Sequence, residues 1–426
     1  MSVLRFLQWL IARERLLRLA SPLFGRFNPF LPQHRRDPHA TWRALRSTEP
    51  VYRSRALGAW LLTRYDDVLH VLRDPNFTTD RSDVPLMKLV SRLTRKDPEF
   101  SAMIERNLLT LDGSDHTRLR GLVSKAFTPR RVERLRPQLE GIVDELLDRA
   151  AEASQMELIR DLAHPLPVIA IAELLGIPSA DRARFRAWSA DLVQLLDPLQ
   201  GRGGSASLRR ATHELYAYFR PLLAERRARP RDDLLSAMIA AEENGESLSE
   251  TDLLALSGLL LVAGHETTAN LIGNAVLALL RNPSERKRLQ DDPDLIASAV
   301  EEFLRYDPPI QLTDRAVRED CEIGGRRIRK GQLVVVVLAA ANRDPDRFPD
   351  PDRLDLGRTD HHHLAFGQGG HFCLGSQLAK LETEIAIGTL LRRFPDFFGN
   401  TEPTAWRRSM IIRGPEAVPL CLVPTC

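Results

Sequence analysis

The chain has 426 residues, 43% of them hydrophobic, enough for a sizeable core in one large domain or two to three ordinary ones. Its 60 Lys and Arg, of which 54 are Arg, nearly balance 57 acids, leaving +3; they are scattered rather than gathered in a stripe, which argues against nucleic-acid binding. The four cysteines, Cys321, Cys373, Cys421 and Cys426, include no C-x-x-C pair; they suggest no disulfide framework and fit a reducing cytosol.

Residues 1–37 read as an amino-terminal segment, and 38–426 as a single compact domain with no internal repeat. Within 1–20 a weak apolar run is broken by Arg5, Gln8, Arg13, Glu14, Arg15 and Arg18, with no clear cleavage site. It has the pattern of a basic amphipathic helix, packed on its own domain or laid on a membrane surface, the former favoured. The periodicity predicts helices over 61–72, 117–127, 132–151, 166–175, 181–196, 208–227, 234–244, 252–280, 283–289, 295–305 and 377–394. Strands are expected at 51–55 and 59–63, at 321–323, 326–328 and 333–338 with Gly324-Gly325 as a hairpin turn, and near 410–412. Gly201–Ser205 is expected to be a hinge between two helices rather than a domain boundary. The fold class is mainly α with a small β subregion. The longest apolar run, 253–264, is too short to span a bilayer.

Several groupings carry chemistry. His116 and Arg120 stand four apart and so share a helix face. The helix 252–280 is apolar on nearly every side, yet holds Ala263-Gly264-His265-Glu266-Thr267-Thr268 at its middle; an acid and two hydroxyls there need partners. Gly264 weakens the helix locally and frees a carbonyl. Glu302 and Arg305, three apart, can pair. The most informative stretch is Phe366-Gly367-Gln368-Gly369-Gly370-His371-Phe372-Cys373-Leu374-Gly375. Its glycines let the backbone approach something large and flat, and a cysteine just before a helix meets N–H donors and a positive helix end that favour thiolate. Such a sulfur suits the axial position of a haem iron. His361-His362-His363 is not read as a metal site, because consecutive side chains diverge. Gly201-Arg202-Gly203-Gly204 lacks the strand and helix that a dinucleotide loop requires.

These motifs together resemble the cytochrome P-450 superfamily of haem-thiolate monooxygenases, over 38–423, and soluble bacterial members in particular. Phe-Gly-x-Gly-x-His-x-Cys-x-Gly, Ala-Gly-x-Glu-Thr, Glu-x-x-Arg and Ala341-Asn342-Arg343-Asp344-Pro345 carry the likeness. The resemblance implies haem b between the central helix and the cysteine loop. Cys373 would ligate the iron, and Phe366, Gly367, Ala263 and Gly264 would line the haem. His116, Arg120, Arg315 and His371 would take its propionates. It implies that Thr267 hydrogen-bonds the bound dioxygen and that Glu266 connects the site to a proton supply. Glu302 and Arg305, with Arg353 as third member, would brace the core; Leu354 stands where the family more often has Phe, and Asp112-Gly113-Ser114-Asp115 lacks the usual prolines. The implied protein is a cytoplasmic bacterial monomer fed by a separate ferredoxin and reductase, which would dock near Lys125, Arg130, Arg131 and Arg134. Its pocket would be built from 80–109, 192–218, 260–264, 310–313 and 409–411, mainly aliphatic with Met87, Met103 and Met410 adaptable. That favours a lipid, terpenoid, steroid or macrocycle as substrate. A haem sensor or carrier without turnover and a peroxide-driven peroxygenase are the alternatives; the Glu266-Thr267 pair speaks against the latter, and the absence of a visible output domain against the former.

Overall fold

The computed structural model describes residues 27–28, 31–55, 57–81, 84, 97–193, 204–243 and 246–422. The segment 1–20, the hinge 201–203, Met87 and parts of the pocket stretches 80–109 and 192–218 lie outside them.

Two short helices, α1 (Pro32–Arg36) and α2 (Pro38–Thr48), precede strands β1 (Val51–Ser54) and β2 (Ala59–Leu62), then α3 (Tyr65–Arg73) and β3 (Phe77–Thr78). Helices α4 (Gly113–Ala126) and α5 (Arg136–Ala153), β4 (Gln155–Glu157), a π-helical turn at Ile159–Ala163, α6 (Pro165–Leu174), α7 (Arg182–Leu192) and α8 (Gly204–Ala228) lead to the 32-residue α9 (Glu250–Arg281). Then come α10 (Ile296–Tyr306), β5 (Thr313–Val317), β6 (Cys321–Ile323), β7 (Arg326–Ile328), β8 (Leu333–Val336), α11 (Ser376–Arg393), β9 (Phe398–Gly399) and β10 (Pro419–Cys421).

The main sheet has the order β1-β2-β8-β5-β3, with only β2 and β8 parallel, Val334 opposite Trp60. Alternation sends its side chains to two faces. Leu62, Val334 and Val336 join Val68, Val71 and Leu72 of α3 in one core, while Leu61 and Val335 join Trp42 and Leu45 of α2 in another. Gly324 and Gly325 turn the β6–β7 hairpin as expected, at φ of +53° and +73°, values that L side chains resist. A third group pairs β9, β10 and β4.

Helix α9 starts at a capping box: the Ser249 hydroxyl accepts from the Asp252 N–H at 3.1 Å and the Asp252 carboxylate accepts from the Ser249 N–H at 3.1 Å. At 1.5 Å per residue it runs for about 48 Å, packed against α6, α8, α10 and α11. It stays helical through Gly264, whose carbonyl accepts from the Thr268 hydroxyl at 3.0 Å, so the side chains satisfy the groups expected to be freed.

The Glu302–Arg305 pair is buried, each residue 1% exposed. Arg353 is not its third member: that side chain is exposed and only its carbonyl accepts from Arg305. Arg358 takes the place, its Nε donating to Glu302 Oε2 at 3.2 Å. The expectation about cysteines also fails in part. Cys321 and Cys373 are free, but Cys421 is disulfide-bonded. Near 410–412 there is an isolated bridge between Ile310 and Ile412 rather than a strand.

Candidate active site

The residues of α9 from Leu253 to Leu279 are buried with three exceptions, Ala263, Gly264 and Thr267. At 3.6 residues per turn the three fall within about 100° of arc, so between its ends an enclosed helix opens at that patch alone. A side chain added at Gly264 would meet only Ile171 Cδ1, at 3.8 Å. Ala263, Phe366 and Leu374 border the same core, and α9 packs on α11, the helix that follows the cysteine loop.

The loop is shaped by its backbone. Gly367 and Gly369 adopt φ of +72° and +74°, and a Cβ at Gly369 would sit 2.6 Å from the Leu72 carbonyl oxygen, so a glycine lets the loop press against α3. The Cys373 N–H donates to Phe366 O at 2.9 Å, and the Gly367 N–H to Leu364 O at 2.9 Å. Burial pushes the Cys373 thiol up, while the Gly375 N–H and the charge of Arg120 pull it back. The Gly375 N–H is a donor of the kind expected before the helix and favours thiolate, while in the protein alone desolvation outweighs it.

Four sequence-predicted residues converge beside the loop. His116 stacks on His371 with ring centroids 4.0 Å apart, and Arg120 Nη2 donates to Phe372 O at 2.6 Å. Arg315 is buried, its Nη1 donating to Asp314 O at 2.8 Å. His371 Nε2 lies 3.3 Å from Thr79 Oγ1. Burial, then the neighbouring His116 and Arg315, lower His371 to about 4; burial and then Arg120 lower His116. Asp112 is the acid that enters this balance, and it caps α4 by accepting from the Gly113 N–H at 2.8 Å. Burial alone would raise Asp112, yet bonds from Thr78, the Gly113 N–H and Arg318 hold it at about 2.

Glu266 does not share the open face. It is buried, and Arg407 Nη1 lies 2.8 Å from its Oε1, with Asn270 Nδ2 at 3.3 Å. Burial raises its pKa, but Arg407, then His164 and His265, more than offset this and the net shift is downward. His164 Nε2 and His265 Nε2 stand 3.9 and 3.7 Å from Oε2. These three residues could in principle gather a metal ion, but Arg407 Nη2 already lies 2.7 Å from His164 Nε2 and supplies the positive charge. Ser189 Oγ reaches the His265 ring at 2.7 Å. Sequence reasoning missed Arg407, His164 and Ser189; the signal was the buried acid itself, which demands a cation. The histidine run diverges as expected, with His362 on Asp360 and His363 on Glu301.

The family model described as Cytochrome P450 matches residues 205–416. Cytochrome P450 107B1 of Saccharopolyspora erythraea is 45% identical over 392 residues, covering 90% of this chain and 95% of that protein. The vitamin D(3) 25-hydroxylase of Pseudonocardia autotrophica is 42% identical over 396 residues, 91% of this chain and 94% of its own length. The solved structure of PksS, the P450 of the Bacillus subtilis bacillaene polyketide synthase, superposes with a TM-score of 0.84 at 37% identity, over 93% of this chain and 99% of that one. The chain belongs to the cytochrome P450 family.

This P450 is therefore a haem-thiolate monooxygenase with haem b as its cofactor, and its residues fit that group. The open patch on α9 is made of small side chains that a flat ring can approach. The cluster of His116, Arg120, Arg315 and His371 depresses its own basicity, and His116 Nε2 is buried without a protein partner. Two carboxylates are the partners such a cluster suits. Among the described residues, no helix is long and apolar enough to cross a membrane.

Proposed function

We propose that Cys373 ligates the haem iron opposite the Ala263–Gly264–Thr267 patch, and that this P450 oxygenates an apolar, steroid- or polyketide-like molecule with electrons from a separate ferredoxin and reductase. The observation that carries the reading is that the one open patch of a buried helix borders the same core as the cysteine loop. Bound haem supplies the dioxygen chemistry that puts one oxygen atom into a C–H bond. The chain supplies the rest. The Gly375 N–H and Arg120 favour negative charge on the sulfur and offset part of the effect of burial. His116, Arg120, Arg315 and His371 take the propionates. Thr267, whose hydroxyl donates to Ala263 O at 2.9 Å, holds a proton at the open face. Glu266 links that face to His164, whose side chain is 30% exposed and so reaches solvent. Burial lowers His164 to about 4, with Arg407 adding to the effect against the pull of Glu266, so its ring is neutral at pH 7. Glu266 must leave Arg407 to turn toward Thr267.

Replacing Thr267 by Ala should lower product yield by about 100-fold, the scale of one positioned acid–base group, while reductant is still consumed and peroxide appears. Unchanged coupling would move the role to Thr268.

The substrate class rests on the aliphatic lining, with Leu260, Ala263, Ile310 and Met410 at the proposed pocket, and on the relatives named for vitamin D(3) and for a polyketide synthase. A panel of sterols, macrolides, terpenes and small polar acids, read by the Soret shift as water leaves the iron, tests it; a response confined to polar acids would refute it.

Lys125 in the last turn of α4, and Arg130 and Arg134 just beyond it, are exposed, and Phe372 beside Cys373 is 38% exposed. Asp232 lies 3.6 Å from Arg131 and 3.8 Å from Arg134 and partly offsets them. A basic rim around an apolar contact suits an acidic ferredoxin. Charge reversal at Arg130 and Arg131, or added salt, should slow electron transfer and leave substrate-induced spectral shifts intact. A rate insensitive to both would place docking elsewhere.

A further inference from the structure

Where α1 and α2 meet the carboxy-terminal segment 406–414, a cavity of about 20 Å³ is walled by His34, Trp42, Gln311, Trp406, Arg407 and Met410, among others. Four buried polar atoms of its wall have no partner within the protein: Trp42 Nε1, Trp406 Nε1, Gln311 Oε1 and His34 Nδ1. Trp42 is 1% exposed, Gln311 3% and His34 7%. A buried polar atom left unsatisfied costs about 1–3 kcal/mol, so four around one cavity point to an occupant.

The chemistry of the wall selects it. Both indole nitrogens can only donate. The Gln311 amide is fixed in orientation, since its Nε2 donates to Pro308 O at 2.7 Å, which leaves its oxygen to accept. Burial, then Arg413 and His39, hold His34 at about 3, so its ring is neutral and Nδ1 accepts when Nε2 carries the proton. Arg413 lies over the Trp406 ring at 3.7 Å, but its donors go to Asp307 at 2.9 Å and to Arg36 O at 3.2 Å. Two donors and two acceptors match neither an anion nor a cation; they are the complement of one water. A cavity needs about 10–15 Å³ of this kind of space to hold one.

We propose that this cavity binds a single water molecule, which accepts from Trp42 and Trp406, donates to Gln311 and His34, and fastens segment 406–414 to α1, α2 and the residues just before β5. That segment carries Arg407, whose Nη1, Nη2 and Nε engage Glu266, His164 and Asn270 at 2.8, 2.7 and 3.0 Å. The water is thus a positioning element for Glu266, a consequence that rests on the role proposed for Glu266 above.

The test is a high-resolution structure of the haem-loaded protein, joined to hydrogen exchange on Trp406→Phe and, in case that variant misfolds, Gln311→Met. A full-occupancy solvent peak about 2.7–3.2 Å from the four atoms is expected, and exchange within 406–414 should rise about tenfold in either variant. A dry cavity, or a peak too heavy for water, would overturn the site. Unchanged exchange in both variants with the peak lost would overturn its positioning role. Faster exchange with undisturbed coupling leaves the water site standing and removes the role given to Glu266.

Discussion

Replacing Cys373 by His should abolish the thiolate-type Soret band of the reduced, carbon-monoxide-bound protein while haem stays bound. The two outcomes separate because different groups control them. Retention depends on the stacked His116 and His371, on Arg120 and Arg315, and on the open face of α9. The loop's own shape depends on Gly367, Gly369 and the 2.9 Å bond from the Cys373 N–H to Phe366 O, which the backbone of a His at 373 can also make. The band depends on the sulfur: a neutral imidazole does not push electron density as a thiolate does, so O–O cleavage loses its driving ligand. Turnover should fall by at least about 1,000-fold, or roughly 4 kcal/mol in barrier. Cys321, the other free thiol among the described residues, sits in the β6–β7 hairpin. Cys321→Ser should leave band and turnover unchanged. A thiolate band surviving in Cys373→His, or vanishing in Cys321→Ser, would sink the assignment.

What could be read from the chain beforehand followed local rules. The long core helix announced itself by unbroken apolarity, and its expected span of 252–280 falls within the observed Glu250–Arg281. The cysteine loop was legible because its glycines sit where positive φ or close approach leaves no alternative, as at Gly369 against the Leu72 carbonyl. The partners of Glu266 were not, since Arg407 follows it by 141 positions and is one of 54 arginines, with no local signal to distinguish it. The same difficulty put Arg353 where Arg358 belongs: both lie in one irregular stretch, and only its path decides which guanidinium turns inward. Strands of two or three residues with no turn signal between them, such as β3, β4 and β9, are too short to show a period, whereas Gly324-Gly325 marked the equally short β6 and β7. The environment of the thiol at 373 was legible in part: helix-end donors can be read from sequence, whereas the desolvation that opposes them depends on how the loop packs.

Glu302→Ala should destabilise the protein by about 3–5 kcal/mol, the scale for breaking a buried ion pair, against less than about 1 kcal/mol for the surface i,i+3 pair that the sequence alone would suggest. The carboxylate accepts from Arg305 Nε and Nη2 at 2.7 and 2.8 Å, from Arg358 Nε at 3.2 Å and from the Asp355 N–H at 2.9 Å. Removing it leaves two guanidiniums without their common anion, one of them fully buried. The damage should reach the haem. Arg305 Nη1 donates to Asn342 O at 3.0 Å, Asn342 Oδ1 accepts from the Leu364 N–H at 2.7 Å, and Leu364 O accepts from the Gly367 N–H at 2.9 Å, so a continuous chain of bonds ties the pair to the cysteine loop. Urea unfolding should therefore show a lowered midpoint, and transfer of haem to an apo-globin acceptor should quicken in parallel. The double replacement Glu302→Leu with Arg305→Met should recover part of the stability, because the fully buried Arg305 charge is then gone, although Arg358, 11% exposed, still lacks its anion. It should not recover all of it, since the carbonyls of Asn342, Pro351 and Arg353 lose their donor. A loss below about 1 kcal/mol in Glu302→Ala would mean that the pair is no more than a surface contact, and a normal haem-release rate in a destabilised variant would break the link from α10 to the loop.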